Sequence, residues 1–286
     1  QHAQHRMSGK IIIIGASRGP GRLLFDQLSQ LQTPVLGIAR EKRGLVTTAS
    51  ASFIKCDAAN SEHLVKLIGE NNTVISVSQP EFLTSILAKD PPISRLIAVG
   101  STRLYTQFPD DKCLRLAEMS KAIWRNNIPA TILHPTMIYG AEGYNNIDRI
   151  FRIARLSPLI PLPFEGSSLI QPVHVNDVIA SIKACLRNPK TIGKTIVVAG
   201  RNAVSYRELI EVCIEASNSK CRVISLPYFF VSLIGLITQL VPGIPAVSQN
   251  EICRLKEDKS FDIKDLEQIL GVSPHSLREG LKLDFI

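Results

Sequence analysis

The 286-residue sequence has no cysteine pair at C-x-x-C spacing and no histidines at metal-ligand spacing; its six cysteines are scattered from Cys56 to Cys253. A chain of this length builds its core without cross-links, so they read as free thiols of a cytosolic protein, and no metal site is expected. Low-complexity tracts and internal repeats are absent, and 45% hydrophobic with 20% charged residues is an ordinary globular composition. No Lys/Arg-rich run interleaved with aromatics occurs. The net charge of +8 therefore reads as a diffuse basic surface suited to anionic ligands, and nucleic acid is not an expected partner. No apolar run reaches spanning length. The strongest, residues 228–241, covers about 21 Å as a helix against a hydrocarbon core of ~30 Å. It reads as a buried helix of a C-terminal lobe, or as a membrane-surface helix with Phe229, Phe230, Leu233 and Ile237 on one face. No secretory leader pattern precedes the first strand, and residues 1–6 read as a tag remnant or disordered tail, with Met7 the native start.

What is present begins at Lys10-Ile11-Ile12-Ile13-Ile14-Gly15-Ala16-Ser17-Arg18-Gly19-Pro20-Gly21-Arg22. Four consecutive isoleucines read as a strand buried on both faces, as in a parallel sheet. The strand runs into a G-x-x-x-G-x-G turn and then a helical pattern through Leu23, Leu24, Leu28 and Leu31. Glycines allow the tight turn and a close backbone approach to a pyrophosphate, whose charge rests on the helix N-terminus. Pro20 suits the first helical turn, where its missing N–H is not needed. The expectation is dinucleotide binding, with Gly15, Gly19 and Gly21 lining the pyrophosphate and Ser17, Arg18 and Pro20 also in the cofactor site; an ordinary tight β–α turn is the plain alternative.

Further strands are expected at residues 34–39, 52–55, 73–77, 96–99, 130–133 and 195–198, and helices after Asn60-Ser61, over residues 112–125 and after Asn176-Asp177. Strands alternating with helices at this spacing mean an α/β, Rossmann-type, doubly wound parallel sheet. Residues 7–140 form the dinucleotide-binding core in this reading. Residues 141–286 hold the remaining Rossmann elements interleaved with a smaller C-terminal substrate lobe, starting from the loops around Pro158, Pro161 and Pro163.

Several segments in fixed order then resemble the short-chain dehydrogenase/reductase superfamily, in its extended or atypical branch related to nucleoside-diphosphate-sugar epimerases and dehydratases. Gly100-Ser101-Thr102-Arg103-Leu104-Tyr105 resembles the S-S-T-x-V-Y segment after the fifth strand. His134-Pro135-Thr136-Met137-Ile138-Tyr139-Gly140 resembles R-P-T-x-I-Y-G, and Gln171 to Val178 resembles Q-P-V-H-V-D-D-V. The tail segments Asp258 to Asp262 and Leu270 to Pro274 match the usual ending, so the resemblance covers nearly the whole chain. The glycine spacing departs from the branch, since extended members show G-x-x-G-x-x-G.

An acid at the end of the second strand holds the ribose hydroxyls in NAD sites. That position is Ala39 or Arg40 here, with Lys42 and Arg43 beyond and Glu41 between. Arg18 resembles the basic residue that NADP-preferring relatives place beside the ribose, so NADP is expected, with NAD as the alternative. Asp57 and Ala58 resemble the pair that meets the adenine, and Pro135 is assigned to the cofactor site by the same resemblance.

The superfamily's chemistry uses a tyrosine with a lysine four residues on, and no Y-x-x-x-K occurs in this sequence. Counting back from His134 puts Phe108 and Lys112 near those positions; a later register gives Asp111 and Arg115. Ser101 sits where the substrate-binding hydroxyl belongs, or caps the strand end. Tyr105 could approach the vacant place, so the catalytic candidates are Ser101, Tyr105 and Lys112. His134 and His174 read as structural, and Met137 and Tyr139 as packing around the nicotinamide pocket. Two functions follow. One is an oxidoreductase or epimerase-like enzyme taking a dinucleotide and a small or nucleotide-linked substrate, its proton donor displaced. The other is a non-catalytic nucleotide-binding regulator or assembly factor, as in atypical members such as the accessory Rossmann subunit of respiratory complex I. Membrane contact through residues 228–241 is a weaker possibility, and the oligomeric state stays open, a homodimer included.

Overall fold

A computed structural model describes residues 9–30, 33–144, 146–231, 233 and 254–284. Seven strands form one parallel sheet: β1 (Ile11–Ile14), β2 (Val35–Ala39), β3 (Ala51–Lys55), β4 (Asn72–Ser76), β5 (Ile93–Val99), β6 (Ala130–Pro135) and a late strand (Lys194–Val198). The late strand pairs with β6, and the spatial order runs from it through β6, β5, β4, β1 and β2 to β3. The order reverses between β1 and β4. That switch point opens a crevice beyond the strand ends, where ligands of doubly wound sheets bind.

Alternation along β1 explains the two layers. Ile11 and Ile13 pack with Leu24, Phe25 and Leu28 of α1 (Gly19–Leu28) and with Val178 and Ile182 of the helix Val175–Arg187. Ile12 and Ile14 pack on the other face with Leu64 of α2 (Ser61–Ile68), Leu83 of α3 (Pro80–Leu87) and Leu116 of α4 (Asp111–Arg125). Burying both faces is why this strand can be isoleucine throughout.

Beyond β6, a small lobe is built from β7 (Ile138–Tyr139), α5 (Asn146–Leu156), β8 (Leu159–Leu162), β9 (Leu169–Ile170) and β10 (Val173–His174). The chain then returns to the sheet through α6, the helix Val175–Arg187, and β11, the strand Lys194–Val198. It re-enters the lobe with β12 (Val204–Ser205), α7 (Tyr206–Ala216) and β13 (Arg222–Ser225), and ends with α8 (Lys264–Gln268) and α9 (Leu277–Asp284). β8 pairs with β13 and β9 with β12, so the lobe is a set of two-stranded ribbons covered by α5 and α7.

Three details differ from the sequence expectation. Helix α3 was not expected; Pro80 opens it in the first turn, where proline fits without loss of a hydrogen bond. Helix α6 starts earlier than Asn176-Asp177: His174 is the N-cap, its Nδ1 accepting the amide hydrogen of Asn176 at 3.3 Å. Asp177 is instead buried and accepts from the backbone N–H of His275 at 3.0 Å, with the His275 ring 2.7 Å away. Helix α1 ends at Leu28, and Leu31 lies outside the described residues. So do residues 1–8 and most of the apolar stretch 228–241.

Candidate functional site

A single continuous cavity of about 1270 Å³ runs from the switch point to the small lobe. Its first end is the glycine turn. Gly15 takes φ +92°, a left-handed conformation, and a Cβ there would press on Val77 Cγ2 at 3.1 Å and Ser78 N at 3.3 Å. Gly15, Ser17, Arg18 and Pro20 line the cavity. Gly19 and Gly21 do not. Gly19 lies against the Tyr144 ring, and Gly21 lets α1 close onto β1: its Cβ would overlap Gly15 O and stand 2.7 Å from Val77 Cγ2. Two of the three glycines expected to line the pyrophosphate thus shape the turn from behind. The α1 N-terminus has no side-chain cap and no acid in its first turn. Its free amides and partial positive charge therefore suit an anion, although Pro20 contributes no donor.

At the next part of the cavity, Arg40, Asp57 and Ala58 join Arg18 in the lining. Neither Arg18 nor Arg40 makes an ion pair or side-chain hydrogen bond among the described residues. Arg43 is committed elsewhere, 2.7 Å from Glu41 and 3.7 Å from Glu142. Asp57 Oδ1 accepts from the Ala59 amide at 3.0 Å, so it shapes its own turn as well as the wall. Pro135 is buried within β6 and outside the lining; its carbonyl accepts from Thr102 Oγ1 at 3.3 Å, and the following Thr136 and Met137 reach the cavity instead.

The opposite wall begins where β5 ends. Ser101 lines the cavity and caps the short turn Thr102–Tyr105, its Oγ accepting from Arg103 N at 3.2 Å. Tyr105 follows, 48% exposed, its phenol pKa raised by partial desolvation. Its ring meets His134 edge-on at 5.6 Å and Phe261 at 6.2 Å. His134 is fully buried. Nδ1 accepts the Ser101 amide hydrogen at 3.1 Å, which leaves the proton on Nε2, where no partner stands. Burial lowers its pKa to about 4. Lys112, in the first turn of α4, also lines the cavity; partial desolvation, then the Arg103 charge, lowers its ammonium pKa. Asp110 caps α4 and pairs with Arg103, which holds its carboxyl at about 2.

The structure therefore gathers Ser101, Tyr105 and Lys112 on one wall. Phe108 is exposed, precedes α4 and does not line the cavity, so Phe108 and Lys112 are not a helical i, i+4 pair. Met137 lines the cavity, whereas Tyr139 is buried behind it, its hydroxyl donating to Leu277 O at 3.4 Å.

Sequence reasoning missed the facing wall. Glu257 is 5% exposed, yet its carboxylate accepts from Gln107 N at 2.5 Å and from Thr106 Oγ1 at 2.9 Å. Lys259 donates to Tyr206 OH at 3.1 Å and to Arg254 O at 3.0 Å; burial lowers its pKa and raises that of Tyr206 to about 12. The tail segment beginning at Asp258 was legible only as the usual ending of the family it resembles, and the pairing of the preceding Glu257 with residues 106–107 had no local signal. Among the described residues no group of His, Cys, Asp or Glu is arranged to hold a metal ion.

A switch-point crevice with a left-handed glycine turn, an uncapped helix start and a hydroxyl-bearing wall at the end of β5 defines a Rossmann-type α/β fold with its ligand site at the strand ends. Comparison with known proteins agrees with that class. No family model matches the chain. The mouse mitochondrial NADH dehydrogenase [ubiquinone] 1 alpha subcomplex subunit 9 is 24% identical over 292 residues, covering 93% of this chain and 76% of the relative. UDP-glucose 4-epimerase of Vibrio cholerae is 25% identical over 162 residues, 55% of this chain and 46% of that enzyme. The UDP-glucuronic acid 4-epimerase of Bacillus cereus, solved with UDP-glucuronic acid and NAD, superposes with a TM-score of 0.72 at 17% identity, covering 96% of this chain and 98% of that one. The fold is shared with that epimerase structure, and the sequence similarity to the mouse subunit spans nearly the whole chain.

Proposed function

We propose that this chain binds a nicotinamide dinucleotide at the switch point and acts, epimerase- or reductase-like, on a small or nucleotide-linked ligand seated against Ser101, Tyr105 and Lys112. The observation that carries this is the one cavity joining the glycine turn to that wall. The residues present fit the dinucleotide: Gly15 brings bare backbone to the cavity wall, and the first-turn amides of α1 have no competing acid. When bound, the dinucleotide supplies a hydride donor or acceptor. Ser101 Oγ then hydrogen-bonds the ligand oxygen, and Tyr105, the exposed phenol on that wall, exchanges its proton, with Lys112 adding positive charge nearby. NADP is the preferred form, supported by the guanidiniums of Arg18 and Arg40, which have no carboxylate partners, while Glu41 is turned to Arg43. The five described cysteines are free thiols, which supports a reducing, cytoplasmic setting. Exposed Phe229, Phe230 and Leu233 support peripheral contact with a membrane.

Calorimetry with NADP and NAD tests the cofactor reading. The wild type should favour NADP, and Arg40→Asp should cost about 1.5–3 kcal/mol of NADP affinity through lost charged hydrogen bonds. Equal affinity of the wild type for both would refute it. A second reading, a non-catalytic regulator or assembly factor, is favoured by two observations: Ser101 Oγ already caps its own turn, and no lysine stands four residues after a tyrosine.

A further inference from the structure

The lobe half of the cavity has a feature that neither a sugar nor a phosphate would use. Ile150 and Ile153 of α5, Ile160 and Leu162 of β8, Ile210 of α7 and Val231 line it, the first five in one hydrophobic cluster, with Asn146, Arg149 and Ser157 lining it from the same helix and its end. The six apolar side chains carry no polar atom, so a hydroxyl or phosphate seated against them would lose its water without gaining a partner there. The arm reaches the surface beside Leu159, which lines the cavity and is still 42% exposed. Val231 is buried, but Phe229, on the same helical turn, is 70% exposed. The cavity's apolar end and an exposed apolar surface thus share one segment. At the inner end of the arm the chemistry changes: Arg103, Lys112, Arg254 and Lys259 outnumber Glu257 and Asp258 in the lining. Arg254 makes no side-chain hydrogen bond among the described residues, and its charge is felt at Asp110, Tyr206 and Lys259.

We propose that the ligand seated beside the dinucleotide is an amphiphile: an anionic head facing these cations, and one aliphatic chain lying along α5, β8 and α7. This inference rests on the reading of the cavity as a joint dinucleotide and ligand site, and it names the class of that ligand. A free alkyl acid and the chain of a membrane lipid share this chemistry.

Displacement of 11-(dansylamino)undecanoic acid by straight-chain carboxylates of six to twelve carbons, each below its micelle concentration, tests it. Affinity should rise roughly fourfold per added methylene while the chain is being buried. Leu159→Glu, at an exposed position that leaves the fold intact, and Ile153→Glu should flatten that dependence. Affinity independent of chain length, or unchanged in both variants, would overturn the proposal. A parallel arm measures co-sedimentation with phosphatidylcholine vesicles containing one-fifth phosphatidylglycerol. Vesicle binding without chain-length-dependent displacement in solution overturns the cavity as the seat of the chain; displacement by monomeric acids upholds it whichever source supplies the chain. NADPH binding, followed by its fluorescence, separates the two readings. If it fails while the chain-length dependence persists, the dinucleotide site is lost and the aliphatic arm stands; if it holds while the dependence is absent, the arm alone is refuted.

Discussion

Replacing His134 with Asn should remove most of the acid sensitivity of folding between pH 7.5 and 5. In the unfolded chain the imidazole takes up a proton near its ordinary pKa of 6.5; in the folded protein burial lowers that to about 4. Between those values the unfolded state binds more protons, so stability is fully present above pH 6.5 and drains away as pH falls. A difference of this size amounts to about 3 kcal/mol once pH passes below 4, and about 2 kcal/mol of it is lost by pH 5. The cause is local: Nδ1 already accepts from the Ser101 amide and Nε2 has no partner, so a second proton would put an unpaired charge in the core. Asparagine places an amide oxygen near Nδ1 and does not titrate. Urea denaturation of both proteins across this range isolates the effect, because the Asp110 carboxyl at about 2 titrates well below it. The gap between wild type and variant should shrink by about 2 kcal/mol on going to pH 5. A constant gap would refute the reasoning.

Three further outcomes follow from the same geometry. Gly21→Ala drives a methyl into Gly15 O and Val77; it should cost about 1–3 kcal/mol, read as a lower melting temperature even without ligand. Asp110→Ala removes the α4 cap and the Arg103 partner, and should destabilise by about 1 kcal/mol, little changed by salt if the cap dominates over the half-exposed ion pair. Tyr105→Phe should lower turnover of a carbonyl substrate by ~10²–10⁴-fold with dinucleotide affinity intact; full activity in this variant would place the proton donor elsewhere.

How far the sequence reaches depends on how local the cause is. The four isoleucines of β1 and the glycine turn were legible because burial on both faces and a positive φ leave marks in adjacent residues. Helix α3 was not, since Pro80-Glu81-Phe82-Leu83 lacks a polar capping side chain and reads as loop. At Gly19 and Gly21 the spacing says that a side chain is excluded, not whether ligand or protein excludes it; in the fold Tyr144 stands against the one and Gly15 O against the other. The pairing of Arg43 with Glu142, 99 positions later, has no mark in the sequence around either residue. The Lys259–Tyr206 contact is equally non-local, joining residues 53 apart in the chain.

Glu257 carries one more consequence. It is the group that holds residues 106 and 107 in place, and it follows Gln107 by 150 positions. Made on a ribosome at about 5–20 residues per second, the nascent chain would have its sheet-end wall roughly 8–30 s before the residue that fixes it. The glycine turn gains its last partners, Tyr144 and α6, within that interval and before Glu257 is made. A nascent chain should therefore meet a dinucleotide before it can present a finished ligand wall, which makes cofactor capture an early event in its biogenesis and ligand selectivity a late one.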